Sequence, residues 1–159
     1  MVNKGINLIG YARAEYGLGE ACRSAAKAFR AAGIPFCIIN FPHCPARQSD
    51  LSWRHKEVKE PIFKTNIFFI NADQLFLHYQ KNNLKKSWFL NRHNIGYWHW
   101  ELPIFPDSWD KSFTIVNEVL APSTFTGNSI SQKSLKPVNV IPHSISIEIP
   151  KKINRKYFG

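Results

Sequence analysis

Acidic residues are few in this sequence: 11 Asp and Glu stand against 21 Lys and Arg, for a formal net charge of +10. Such a balance disfavours cationic partners and suits anionic ones: nucleic acid, acidic lipid or a phosphorylated small molecule. The cations are dispersed, with short clusters at Lys81, Lys85 and Lys86 and at Lys151, Lys152, Arg155 and Lys156. There is no uninterrupted basic block, RNA-binding signature or zinc-finger spacing, so no specific nucleic-acid partner is expected and that reading rests on charge alone. Cysteine is also scarce. Cys22, Cys37 and Cys44 are odd in number and form no CxxC pair, which argues against a structural zinc site and for a reducing compartment. No apolar run approaches a membrane span, and Met1 to Lys4 lead straight into a strand without a signal peptide. The expectation is a cytoplasmic protein, with the acidic inner membrane surface as a candidate peripheral partner.

Several nucleotide-binding motifs are missing as well. Without a GxxxxGK[ST] segment a P-loop is excluded. The dinucleotide fingerprint also fails. Cys22 stands where its third glycine belongs, Asn40 replaces the ribose-binding acid at the end of the second strand, and the loop from Gly10 to Gly17 is too long for its tight turn. Neither a nicotinamide nor a flavin cofactor is therefore expected. His43, His55, His78 and His93 lack metal-ligand spacing and read as solvated or packing residues, so no metal is expected.

What is present is an ordinary globular chain. Its 159 residues, 44% of them hydrophobic, suffice for a single domain with its own core. Short apolar runs at 6–9, 36–39, 66–70, 94–100, 118–121 and 138–141 read as strands. Between them lie helical patterns. From Leu18 to Ala32 the apolar residues recur at helical spacing, with Arg23, Lys27 and Arg30 on the opposite face, and Gly33 followed by Pro35 ends the run. Asp73, Asp107 and Ser123 are placed to cap three further helices. Residues 41–61, with Pro42, Pro45 and Pro61, read as a long loop holding at most a short helix. The alternation predicts an α/β, Rossmann-like domain with a mostly parallel sheet and helices on both faces. Ligands of such sheets bind beyond the carboxyl ends of the strands.

That rule selects the candidates. Gly17, Leu18 and Gly19 follow the first strand and its loop and open a helix, a place where backbone N–H groups and the helix N-terminus favour a phosphate. Tight packing of the two glycines is the plain alternative. At the end of the fourth strand, alternation puts Trp98 and Trp100 on one face and Tyr97, His99 and Glu101 on the other. His99 could act as a general base or donate a hydrogen bond to a sugar or phosphate, with Glu101 orienting it or binding a hydroxyl; a packing histidine is the alternative. Arg13 and Glu15 lie in the first loop, either as a surface ion pair or with Arg13 facing an anion. Asn71, Asp73, Ser123 and His143 sit at the ends of other strands.

Asn7 to Tyr11 with Gly17 to Ala21, then Trp98-His99-Trp100-Glu101-Leu102-Pro103, Ala121-Pro122-Ser123 and Val140 to His143, resemble retaining glycosyltransferases of the GT-B fold, particularly the bacterial group 1, family 4 enzymes. The resemblance spans nearly the whole chain. It implies a Rossmann-like N-terminal domain over residues 1–150 and the start of an interdomain linker or tail at 151–159. Such a domain mainly binds the acceptor, which makes Tyr11, Arg13, Glu15, Asn71, Asp73 and Trp98 candidate acceptor contacts. It further implies that the Gly17-Leu18-Gly19 loop lies near the donor diphosphate and His99 near the transferred sugar, with Ser123 and His143 as candidates at the cleft edge and Glu101 as His99's candidate catalytic partner. Pro142-His143-Ser144 departs from the family's Pro-Asn-Gly. The family's paired glutamates, separated by seven residues on a C-terminal donor-binding domain, do not occur in these residues. The expectation is half of an enzyme that passes a sugar from a nucleotide donor to a hydroxyl, inactive alone. A non-catalytic phosphate- or sugar-binding module is the alternative.

Overall fold

The computed structural model describes residues 4–146. They form one α/β domain around a six-stranded, all-parallel sheet. The strands are β1 (Ile6–Gly10), β2 (Phe36–Asn40), β3 (Thr65–Phe69), β4 (His93–Tyr97), β5 (Glu118–Ala121) and β6 (Val138–Val140), in the order β2-β1-β3-β4-β5-β6. The α-helices are α1 (Gly17–Ala31), α2 (Ala72–Gln80) and α3 (Thr124–Ser131). The predicted linker at 151–159 lies outside the described residues.

Alternation along the strands builds two cores. Ile9, Phe68, Val119 and Ala121 point to one face, where α2, α3 and a 3-10 helix at Asp107–Ile115 cover them with Leu75, Ile130 and Phe113. Leu8, Ile67, Phe69 and Leu120 point to the other, where α1 lays down Ala21, Cys22 and Ala26. The small α1 residues let the helix sit close to the sheet, as the periodic spacing predicted. Gly33 takes φ +67° at the helix end, the left-handed conformation that glycine adopts without a Cβ penalty.

Four details differ from the sequence reading. β4 stops at Tyr97, three residues early, because Trp98 turns into the aromatic cluster of Phe105 and Phe113. Asn71, not Asp73, is the cap residue of α2. The segment after Pro106 is a 3-10 helix, and Asp107 pairs with Lys133 rather than capping it. Helical spacing puts Arg23 on the solvent face of α1, but it is buried. Ser123 does cap α3, accepting a hydrogen bond from Thr126 N at 3.2 Å. The only helix in the 41–61 loop is the 3-10 turn Arg54–Lys56.

At the amino ends of three neighbouring strands a buried asparagine ladder crosses the sheet. Asn7, Asn66 and Asn94 are in register. Asn7 Nδ2 donates to Asn66 Oδ1 at 2.7 Å and Asn66 Nδ2 to Asn94 Oδ1 at 2.8 Å. No periodicity in the chain announces it, because each asparagine sits alone in its strand.

Candidate functional site

The carboxyl ends of the strands gather most of the candidates, but the structure divides them. The loop after β1 is a compact arch. Ala12 N donates to Gly10 O, Ala14 N to Tyr11 O, and Arg13 N to Asn40 Oδ1 at 2.9 Å. Asn40 therefore braces a loop where a dinucleotide enzyme would grip a ribose. Behind the arch, the Arg23 guanidinium donates to the carbonyls of Ala12 and Ala14, both at 2.9 Å, and pairs with Glu20 and Asp50.

The two glycines at the head of α1 serve different ends. A Cβ on Gly19 would lie 2.1 Å from Ala14 O and 2.8 Å from Tyr11 O, so this glycine lets the helix press against the arch. A Cβ on Gly17 would meet nothing within 4 Å. Gly17 is exposed and borders an open cleft of about 400 Å³ with Glu20, Ser24, Lys27, His143 and Ser144. The cap residue Tyr16 makes no side-chain cap bond, so side chains of the cap leave the first-turn N–H groups uncovered. Leu18 is half-buried against the core.

His99 and His143 meet across the edge. Their Nε2 atoms are 2.9 Å apart, with ring centroids 5.0 Å apart and planes 14° from parallel. The His99 backbone N–H donates to Asn71 Oδ1 at 2.9 Å. Tyr97 Oη donates to Ile141 O at 2.7 Å and lies 3.4 Å from His143 Nδ1. His99 Nδ1 is buried without a partner. A buried lone pair costs less than a buried, unanswered N–H, so the network assigns the His99 proton to Nε2. It donates to His143 Nε2, whose Nδ1–H faces Tyr97 Oη. The segment after β6 then crosses α1, where Ser144 Oγ donates to Ser24 O at 2.7 Å. Ser24 and Ser144 escaped the sequence reading, because only the crossing brings them together.

Burial, and then the nearby His143, push the His99 pKa down to about 4 from its usual 6.5; burial also lowers that of His143. The unfolded chain thus takes up a proton near pH 6.5 that folded His99 refuses until about pH 4. Between those values the unfolded state binds more protons, so stability falls as pH falls through this window. Urea midpoints measured from pH 7 to pH 4 are expected to drop, and the drop is expected to shrink in His99→Gln.

Other predicted contacts are engaged elsewhere. Trp98 is fully buried and offers no face to a sugar. Tyr11 is buried against Tyr16 and Phe41, and burial raises its hydroxyl pKa to about 12. Arg13 forms a two-point pair with Glu57, while Glu15 pairs with Arg47 and accepts from Ser49; the two do not pair with each other. Asp73 lies in the first turn of α2 and accepts from Gln74. Glu101 is exposed, and His99 is bonded to His143 instead. Ser123 Oγ and Thr126 Oγ1 close a chain onto Trp100 O, away from Gly17. His78 packs on Phe41 and bonds Asn83, as a packing histidine would.

All three cysteines are free, and burial pushes the Cys22 thiol up to about 12. Among the described residues no cluster of three or more His, Cys, Asp or Glu is placed to hold a metal ion, and no helix is long and apolar enough to cross a membrane. Fold and edge together define a Rossmann-like α/β domain. No protein-family model matches the chain, and neither does any curated protein compared with it.

Proposed function

We propose that this domain is the acceptor-side half of a sugar transferase. The observation that carries the reading is the placing of His99. It follows β4 with its backbone held by Asn71, and it abuts His143 on the border of the cleft that Gly17 opens. A ligand hydroxyl that displaces His143 would take the Nε2–H of His99. The uncapped first turn of α1 would meet a phosphate. The motif order from Gly10 to His143 supports the same assignment through its resemblance to group 1 glycosyltransferases.

Sugar transfer also needs countercharge on the departing diphosphate. The cations nearest this edge are committed: Arg13 to Glu57, Arg47 to Glu15 and Lys27 to Glu20. The chain of 159 residues is therefore expected to bind nucleotide sugars without turning them over. Calorimetric titration should detect binding that His99→Ala weakens at least about tenfold, a loss of about 1.4 kcal/mol. Sustained transfer by this chain alone would contradict the half-enzyme assignment; failure to bind any nucleotide sugar or sugar phosphate would contradict the site.

The second reading is a binding module without chemistry. It is favoured by the paired cations and by His99, whose two ring nitrogens are respectively bonded and buried. Transfer on addition of a donor-binding domain in trans separates the two, since a pure binding module would remain inactive.

A further inference from the structure

Among the described residues, Lys59, Lys64, Arg92 and Lys136 lie away from the cleft. In an all-parallel sheet the loops that lead into strands share one end, opposite the carboxyl edge. Here they are neighbours: Ile6 N donates to Pro35 O at 3.0 Å, His93 N to Lys64 O at 2.8 Å, and Val119 N to Pro137 O at 2.9 Å. From β2 to β6 the row spans five strand spacings, about 24 Å.

Four of these loops expose one aliphatic residue each. Ile34, Ile62, Leu90 and Leu135 lead into β2, β3, β4 and β6 and are 39, 51, 64 and 99% exposed. Single exposed aliphatics are ordinary, but here they recur in four loops, and three of them have cations beside them. Lys59 and Lys64 flank Ile62, Arg92 follows Leu90, and Lys136 adjoins Leu135. Lys59, Lys64 and Lys136 are exposed and join no ion pair among the described residues. Arg92 is held by backbone carbonyls, including those of Phe63 and Pro61, and has no carboxylate partner among the described residues. The local acids are spent: Glu60 on Lys85 and Trp88, Glu118 on His93 and Asn139. Between the Leu90 and Leu135 loops a polar cleft of about 260 Å³ is lined by Arg92, Asn117 and Lys136.

We propose that this amino end of the sheet is a docking face for membranes containing anionic phospholipid. The aliphatic tips enter the boundary between headgroups and acyl chains, and the lysines meet lipid phosphates. The cleft between Arg92 and Lys136 holds one headgroup. The choice of lipid over nucleic acid follows from the loop tips: they carry aliphatic side chains, whereas bases stack on aromatic ones. The candidate sugar site then faces away from the bilayer, so vesicle binding and ligand binding are independent.

The test is co-sedimentation of the chain with vesicles of phosphatidylcholine alone and of phosphatidylcholine with phosphatidylglycerol in equal parts. Binding is expected only to the second, weakening as salt rises. At about fivefold per lysine, Lys64→Glu with Lys136→Glu should lower partitioning at least about 25-fold. Leu90→Ser with Leu135→Ser should lower it about tenfold or more, from the aliphatic burial lost. Leu102→Ser with Ile104→Ser, exposed at the other end of the sheet, should change nothing, and His99→Ala should bind vesicles normally. Circular dichroism and melting confirm the fold of each variant. Equal binding to both vesicle types, binding to neither, or unimpaired binding by the amino-end variants would overturn the proposal. So would salt-dependent binding to a DNA duplex by a chain that ignores vesicles.

Discussion

Arg23→Ala is expected to lower the stability of the domain by about 2–4 kcal/mol, because it removes a buried, charged donor from the backbone carbonyls of the arch. The Arg23 side chain is 8% exposed. Its guanidinium answers two backbone carbonyls and two carboxylates at once. Alanine leaves the carbonyl of Ala12 without a donor and that of Ala14 with only the Tyr16 backbone N–H at 3.1 Å, inside an arch that Gly19 already packs to contact. At about 2–4 °C per kcal/mol for a domain of this size, the melting temperature should fall by roughly 10 °C. Arg23→Lys should recover only part of the loss, since one ammonium cannot span the geometry of the fork. Urea unfolding checks both variants; a midpoint unchanged in Arg23→Ala would show that the arch stands without its clamp. The same variant should weaken ligand binding at Gly17, whose position depends on the arch.

Asn66→Ala is the second large effect, at about 3 kcal/mol. Asn66 is fully buried. It donates to Trp88 O and Asn94 Oδ1, both at 2.8 Å, and accepts from Asn7 Nδ2. Asn7 Nδ2 keeps the carbonyls of Phe63 and Thr65, so the loss falls on Asn94 Oδ1, left without a donor, and on Trp88 O, left with only a long contact from Arg92 Nη1 at 3.4 Å. Each buried acceptor left unanswered costs about 1–3 kcal/mol. Asn66→Asp should be worse, because a carboxylate would confront those two acceptors with no proton to give. Asn139→Ala, at an exposed position, serves as the control, with a change within about 0.5 kcal/mol. Equal urea midpoints for Asn66→Ala and Asn139→Ala would show that the ladder adds nothing to stability.

Much of the fold was legible because it follows from local pattern. The alternation of apolar runs with the 18–32 helical spacing led to a parallel sheet covered on both faces. Ser123 and Gly33 were readable since a cap and a left-handed helix end are decided within a few residues. Other assignments failed where a distant partner intervened. Arg23 occupies a polar position on α1 by periodicity, yet the arch of residues 11–14 folds over it. Trp98 alternates correctly with Tyr97, but Phe105 and Phe113 close over its ring. Arg13 looked available beside the glycine turn until Glu57, 44 residues away, took its guanidinium.

The candidate site divides in the same way. The sequence by itself determined that a glycine turn opens α1 and that His99 lies at the carboxyl end of β4, because such patterns are local. It also determined the charge surplus, which is a sum over residues and needs no geometry. Only the tertiary structure decided that Gly19 is a packing glycine and Gly17 an open one, since the difference lies in the carbonyls of a loop folded back on the helix. Only it brought His143 to His99, by carrying the chain after β6 across the sheet edge. It decided, too, where the unpaired charge resides. The order of strands in a parallel sheet sends every leading loop to one end, and residues dispersed along the chain thereby share one face.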